Sequence, residues 1–393
     1  MALLYKLSKS VLPMLGLTLS IGMCYAFSLF SQPIADHLAL SKAVVQFAFC
    51  LNILFLGLGA AIFGRLVEKK IKTAAWLSCI LFFCGLCLSG LAMQFHSIVA
   101  LYIGFGLCCG VAEGIGYVTP VLNNILWFGK NKHKGLVAAL SIISFGLGST
   151  LCSWLFKVYY PIFGIEHVFY AFAVTYFAMS GFGAMLINKP RWAQKMLKRD
   201  SADFNYLALA KDQYALRSWL YMFLNISAGL VLIGSCAPIL KEVNLSQDMV
   251  IMTMMLCGIF NGAGRLVFPA LSDFMKRRVN MLVAILVMEI LVLIPAMLNY
   301  SFMPIAIVII NATYGSFFAL LPSVLSDHYG NKDLSTRHSA VLSAWGIASL
   351  FAYVLTMLVG LFSSYWFLTF VLAAVYAINL LNVLNLKQLD RVS

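Results

Sequence analysis

A succession of apolar runs constrains this chain more than any other feature. Stretches of about 20 residues with few charges recur from residue 11 to residue 385, each bounded by charged or turn residues. They fall near 11–32, 43–63, 73–94, 98–122, 136–158 and 166–187, and, after a polar stretch, near 218–239, 248–271, 279–298, 302–325, 338–361 and 364–385. As a helix, a run of that length crosses the roughly 30 Å hydrocarbon core of a bilayer, so the sequence predicts an all-α membrane protein with twelve transmembrane helices. Twelve spans take about 240 residues. Of the 393 present, too few remain between spans for a folded extramembrane domain. The chain is 62% hydrophobic and 10% charged, against about 45–50% and about 25% in soluble proteins, which excludes a soluble globular domain. The first run carries the Lys6/Lys9 flank of a signal peptide, lacks a small-x-small cleavage site and is followed at once by another run, so it reads as a retained span.

The net charge of +13 would suggest acidic or nucleic-acid partners in a soluble protein. Its distribution says otherwise. Lys and Arg gather at the N-terminus (Lys6, Lys9), after span 2 (Arg65, Lys69, Lys70, Lys72), after span 4 (Lys130, Lys132, Lys134), in the middle linker, after span 8 (Lys276, Arg277, Arg278), after span 10 (Lys332, Arg337) and at the C-terminus (Lys387, Arg391). The opposite side holds Lys42, Lys157 and Lys241. By the positive-inside rule both termini are cytoplasmic, and the basic excess faces an anionic leaflet rather than nucleic acid. The expected setting is a bacterial inner membrane. Ten cysteines lie scattered at apolar positions such as Cys79, Cys84, Cys87 and Cys257, as small hydrophobes would, without metal-ligand spacing.

Residues 188–217 form the long polar segment of the chain and divide it into a six-span half at 1–187, a cytoplasmic linker at 188–217 and a second six-span half at 218–393. Within the linker, 194–198 is basic and amphipathic, suited to the membrane surface or to plain solvation. The halves echo each other. FGRLVEKKIK after span 2 is matched by FPALSDFMKRR after span 8, with Gly64 and Glu68 spaced as Pro269 and Asp273; Tyr117 and Pro120 in span 4 are matched by Tyr314 and Pro322 in span 10. Two pseudo-symmetric six-helix halves joined by a linker suit a transporter.

The segments GIGYVTPVLNNILWFGKNKHKGLVAALSIISFGLGS (114–149), NGAGRLVFPALSDFMKRR (261–278) and TYGSFFALLPSVLSDHYGNKDL (313–334) resemble the major facilitator superfamily, and within it the oxalate/formate antiporter family, a relative of the monocarboxylate transporters. The resemblance covers nearly the whole chain. It implies a cavity walled by aromatics and closed by two cations, an Arg in span 8 and a Lys in span 11. Arg265 stands at the first position, and Trp345 in LSAWGIAS occupies the second. One cation suits a monoanion better than a dianion. Related monocarboxylate carriers place an Asp four residues before the Arg for proton coupling; this chain has Asn261 there, so that pair is missing.

Arg265 stands eight residues before Asp273, about 12 Å into the bilayer. A guanidinium at that depth costs about 2.5–3.5 kcal/mol or more and must face a wet cavity or a partner. Its fork of donors matches a carboxylate, so it either reads an organic anion or pairs with an acidic residue on a neighbouring span. Glu113 and Glu289 sit within spans 4 and 9. A carboxyl kept from water favours its neutral form, so each is a candidate proton-coupling group. Glu113 could equally pair with a basic residue or be structural, and Glu289, on a span that the resemblance places at the periphery, could be a local hydrogen-bonding group. Tyr25, Gln32, Tyr117, Tyr314, Phe318 and Trp345 fall on spans 1, 4, 10 and 11, which line the cavity in the resembled fold; they join Arg265 and Asn261 as candidate substrate contacts, or they are packing. Gly104, Gly106, Gly110, Gly114 and Gly116 recur near helical spacing and permit close helix approach. Gly64, Arg65, Glu68, Asp273 and Arg277 resemble the superfamily's cytoplasmic gating motif, with Glu for Asp in the first copy and Pro for Gly in the second.

The chain has no HExxH, His cluster or nucleophile motif, which argues against an enzyme, a metal site and a cofactor. The expected function is secondary active transport of a small organic anion, a monocarboxylate, by proton symport or anion exchange. The alternative is a carrier of a bulkier solute such as a drug, an amino acid derivative or a siderophore. The expected partners are a small carboxylate, protons and the lipid bilayer, with the chain acting as a monomer.

Overall fold

The computed structural model describes residues 2–128, 134–190, 211–275, 277–329, 334–359 and 364–392. Every regular element among them is helical. In chain order these are α1 (Ala2–Ile21), a 3-10 turn (Gly22–Ala26), α2 (Ser28–Leu38), α3 (Lys42–Lys69), α4 (Ile71–Gln94), α5 (Ile98–Leu101), a π-helical stretch (Tyr102–Cys109), α6 (Gly110–Phe128) and α7 (Lys134–Leu186). There follow α8 (Gln213–Glu242), α9 (Gln247–Ser272), α10 (Val279–Leu298), a 3-10 turn (Tyr300–Phe302), α11 (Met303–Tyr329), α12 (Leu334–Val359) and α13 (Trp366–Val392).

Eleven apolar stretches are long enough to cross a membrane, and the one at Ile143–Leu186 counts twice. A straight helix over the 53 residues of α7 would run about 80 Å. Gly164, at φ 61° and ψ −177°, breaks it into two arms, and only glycine takes that conformation without strain. The protein thus has twelve spanning helices. Two others depart from the unbroken spans that the sequence predicts. The first is interrupted at Gly22–Ala26, which places Cys24 and Tyr25 in a tight turn. The fourth winds as a π-helix through Gly104 and Gly106, and Asn52 Nδ2 of α3 donates to Phe105 O in that stretch at 3.0 Å.

The chain forms two compact units, Met1–Ala202 and Asp203–Ser393. In the first, α1 packs on α7, α3 on α6 and α4 on α7. In the second, α8 packs on α12 and α13, α9 on α11 and α10 on α13. Span 1 with 5, 2 with 4 and 3 with 6 is the same pairing in both units, as expected of a duplicated half. The opening spans, α1 and α8, are the most enclosed, whereas α3 and α10 are the least. Exposed Ile62, Ile162, Val174, Met252, Leu291 and Leu298 supply an apolar exterior suited to lipid.

Inside the first unit, Leu17, Ile71, Ala74, Ile115 and Ala184 form part of one apolar cluster, and polar ties fix its helices. Ser78 Oγ donates to Ala112 O at 2.6 Å, joining α4 to α6. Pro13 within α1 has no N–H, so the carbonyl of Lys9 loses its helical donor. Asn123 Nδ2, on α6, supplies one at 2.7 Å. Asn123→Leu is therefore expected to destabilise the protein by about 1–2 kcal/mol, seen as a lower unfolding temperature in detergent, because the freed carbonyl stays unpaired away from water. An unchanged melting temperature would show that this carbonyl finds another donor.

In the second unit Asp212 caps α8, its Oδ1 accepting from the amides of Tyr214 and Ala215. Its Oδ2 accepts from Tyr329 Oη at 2.7 Å and Arg337 Nη1 at 3.2 Å. Burial alone would raise this carboxyl, but these hydrogen bonds hold it below its ordinary value.

Candidate functional site

Arg265 is fully buried in α9. Its Nε and Nη2 both donate to Asn261 Oδ1, at 3.2 and 3.1 Å, one helical turn earlier. A neutral amide orients the guanidinium without cancelling its charge. The other face is set by α11: Arg265 Cζ stands 5.0 Å from the centre of the Phe318 ring, a cation–π contact. Phe318 in turn meets Trp345 of α12 at 4.5 Å and Tyr314 at 5.7 Å between ring centres. Arg265, Asn261, Tyr314, Phe318 and Trp345, five of the expected substrate contacts, are thus brought together within the second unit.

Small residues make that assembly possible. A Cβ added at Gly264 would stand 1.8 Å from Ala312 O, and one at Gly315 would stand 2.1 Å from Asn261 O and 3.2 Å from Arg265 Cγ. The backbones of α9 and α11 therefore touch at the level of the arginine. Pro269 and Pro322 each follow four residues after Arg265 and Phe318, so the carbonyls of those two residues lack a helical donor. The site thus carries a fixed cation, an aromatic wall and loosened backbone within one crossing.

In the first unit, Tyr25 and Tyr117 both meet the edge or face of Phe145, at 5.2 and 5.4 Å between ring centres. Phe145 is fully buried and was not among the expected contacts; it opens the FGLG stretch (145–148) of the span 5 segment. Gln32 is spent locally, its amide donating to Asp36 Oδ1 one turn along α2.

The two carboxyl groups within spans differ. Glu113 is fully buried, with Asn52 and the Cys24 thiol beside it. Neither of its oxygens meets a well-formed hydrogen bond among the described residues. Glu289 is also fully buried, but both oxygens are engaged, Oε1 with Thr313 Oγ1 at 2.6 Å and Oε2 with Asn225 Nδ2 at 3.1 Å.

At the end of α9, Arg278 Nη2 donates to Asp273 Oδ1 at 2.8 Å, and Nη1 to Asp327 Oδ1 at the end of α11. Arg277 instead lies 3.9 Å from Asp390 of α13. The sequence expectation named Arg277; the residue that engages Asp273 is its neighbour, Arg278, with Asp327 as a partner that no loop motif announced. In the first-half copy, Gly64 has open space where a Cβ would stand. The side chains of Arg65 and Glu68 lie outside the described residues, as do the 194–198 stretch, Lys130, Lys132, Lys276 and Lys332. All ten cysteines are free thiols.

A family model described as Major Facilitator Superfamily matches residues 14–353. The uncharacterized MFS-type transporter YhjX of Escherichia coli (strain K12) is 26% identical over 340 residues, which cover 84% of this chain and 83% of that protein. The oxalate:formate antiporter of Oxalobacter formigenes is 24% identical over 348 residues, 87% of this chain and 82% of that protein. Among solved structures, the D-xylose-proton symporter aligns with a TM-score of 0.75 at 12% identity over 96% of this chain and 97% of that one. A partially occluded, inward-open form of the E. coli xylose transporter aligns with a TM-score of 0.72 at 12% identity, over 96% and 98%. At that identity the likeness speaks for the fold alone. With the family matched over most of the chain and the twelve-helix fold in place, this chain belongs to the Major Facilitator Superfamily and is a membrane transporter rather than an enzyme.

Proposed function

We propose that this protein is a secondary active transporter of a small organic anion, a monocarboxylate, working by alternating access as a proton symporter or an anion exchanger. The carrying observation is Arg265, buried within a span, oriented by a neutral amide and set over the Phe318 ring at 5.0 Å. A guanidinium held this way presents a planar donor fork, the geometry that a carboxylate accepts. Trp345 and Tyr314 complete an apolar wall that suits the short hydrocarbon body of such an anion. The likeness to an oxalate:formate antiporter supports the same substrate class. A single arginine favours one carboxylate over two. Tyr25, Tyr117 and Gln32 are further candidate contacts in this reading.

Glu113 is the proposed proton-coupling group, because its carboxyl is buried and not committed to a strong local donor. Asp273, Arg278 and Asp327 are the proposed gating residues of the second unit, and Gly64, Arg65 and Glu68 those of the first. Exposed ion pairs contribute only about 0.2–1 kcal/mol each, which suits contacts that must break in every cycle. In this reading the protein works as a monomer in a bacterial inner membrane with both termini cytoplasmic, and the basic residues near those termini support that orientation.

Uptake of labelled small carboxylates into proteoliposomes, with and without an imposed pH gradient, tests this reading. One pH unit supplies about 1.4 kcal/mol, so a one-proton symporter concentrates its substrate up to about tenfold. Glu113→Gln is expected to lose that pH stimulation while retaining carboxylate exchange. Stimulation unchanged in the variant would remove Glu113 from coupling. Absence of carboxylate movement in the unmodified protein would remove the substrate class.

A further inference from the structure

We propose that Glu289 is a positioning residue, which from the peripheral α10 fixes α11 against α8 and thereby seats Phe318 and Tyr314 around Arg265. The inference rests on the anion site proposed above. It assigns Glu289 a role other than proton coupling, and the hydrogen-bond inventory carries it. Thr313 Oγ1 lies 2.6 Å from Glu289 Oε1 and 2.8 Å from Ile310 O. A hydroxyl has one hydrogen for these two acceptors. Both contacts are satisfied together when the carboxyl carries a hydrogen and gives it to Oγ1, while the hydroxyl donates to Ile310 O. Asn225 Nδ2 then donates to the carbonyl-like Oε2 at 3.1 Å. The group is complete as a neutral acid, joining three helices.

What it joins is the back of the arginine site. Thr313 immediately precedes Tyr314, and Gly315 follows, the residue whose missing side chain lets α11 touch Asn261 O and Arg265 Cγ. Asn225 lies one turn before Gly229, where an added Cβ would stand 2.2 Å from Tyr314. Sliding α11 along α8 would break the Glu289 bridge and carry Tyr314, Gly315 and Phe318 out of register with Arg265. The remaining titratable neighbours are the buried Tyr221 of α8 and Tyr376 of α13. No cation lies within 4 Å of Glu289 among the described residues.

This arrangement makes glutamine a specific substitute. In Glu289→Gln the amide nitrogen donates to Thr313 Oγ1, and the amide oxygen accepts from Asn225, the same pattern as the neutral acid. Glu289→Leu keeps volume and loses both bonds; Thr313→Val keeps shape and loses one. The experiment measures carboxylate uptake kinetics and pH-gradient stimulation in proteoliposomes containing equal amounts of each full-length variant, with Arg265→Gln alongside. Glu289→Gln is expected to keep both KM and the pH response. Thr313→Val, and Glu289→Leu where it folds, are expected to raise KM by about tenfold with little change in Vmax, as for a displaced binding group. A glutamine variant that loses the pH response would make Glu289 a proton site and overturn the proposal. Wild-type KM in both Thr313→Val and Glu289→Leu would overturn it too, leaving a tie of no consequence for the site. If Arg265→Gln leaves KM unchanged, the anion reading itself has failed, an outcome distinct from the other two.

Discussion

Arg265→Gln is expected to cut the initial rate of carboxylate uptake at a fixed low substrate concentration by at least about 100-fold, with the protein still folded. Two hydrogen bonds from a charged fork are worth about 3 kcal/mol or more, and each 1.4 kcal/mol is a factor of ten. The glutamine amide can still reach toward Asn261 and lie against Phe318, so the α9–α11 crossing survives and the effect falls on the ligand. Arg265→Lys keeps the charge but not the fork, and it leaves the long stem to position an ammonium where a planar group stood over the Phe318 ring. Its expected loss is smaller, about tenfold, expressed in KM. Equal rates in the three proteins would show that the buried cation serves only the structure.

Gly264→Leu has the other large expected effect, and it is on folding. The added Cβ would stand 1.8 Å from Ala312 O, a backbone atom that can yield only if α11 as a whole moves away. Overpacking of an ordinary core costs about 1–3 kcal/mol. Here the obstacle is a helix backbone and the side chain brings three further carbons, so the expected loss is at the top of that range or beyond it. Size-exclusion chromatography in detergent should show aggregated or absent protein. Gly64→Ala provides the contrast: nothing stands within 4 Å of an added Cβ there, so its melting temperature should hold or rise slightly. A well-folded Gly264→Leu protein would mean that α9 and α11 do not touch as described.

The spans were legible because hydrocarbon thickness imposes a length on them, and the halves because their motifs repeat. Breaks within spans were not. Gly164 is one of 28 glycines, and only its φ of 61° distinguishes it from those that sit in regular helix. The turn at Gly22–Ala26 likewise lies inside an apolar run that gives no reason to stop. At the site, the Asn261–Arg265 contact could be read from i,i+4 spacing, since one helix carries both. Phe145, Thr313 and Asn225 could not, because their roles depend on which faces of three helices meet. In lipid an apolar face is as stable facing outward as inward, so hydrophobic periodicity does not say which face is inside. Glu289 shows the consequence. Its type and depth left a proton-coupling group and a local hydrogen-bonding group both open, and its partners, from α8 and α11, favour the second. Which member of the basic cluster meets Asp273 was hidden for a related reason: Arg277 and Arg278 are adjacent in a connection whose turn, rather than its sequence, decides which one reaches it.

Equilibrium binding of a labelled monocarboxylate to the purified protein in detergent, compared between wild type and Arg265→Gln, isolates recognition from coupling and from membrane sidedness. Saturable binding by the wild type is expected, displaced by other small monocarboxylates, displaced less well by dicarboxylates and not by a neutral sugar, and lost in the variant. Binding that survives Arg265→Gln, or a wild type that binds the sugar and no carboxylate, would contradict an anion carrier built around that arginine.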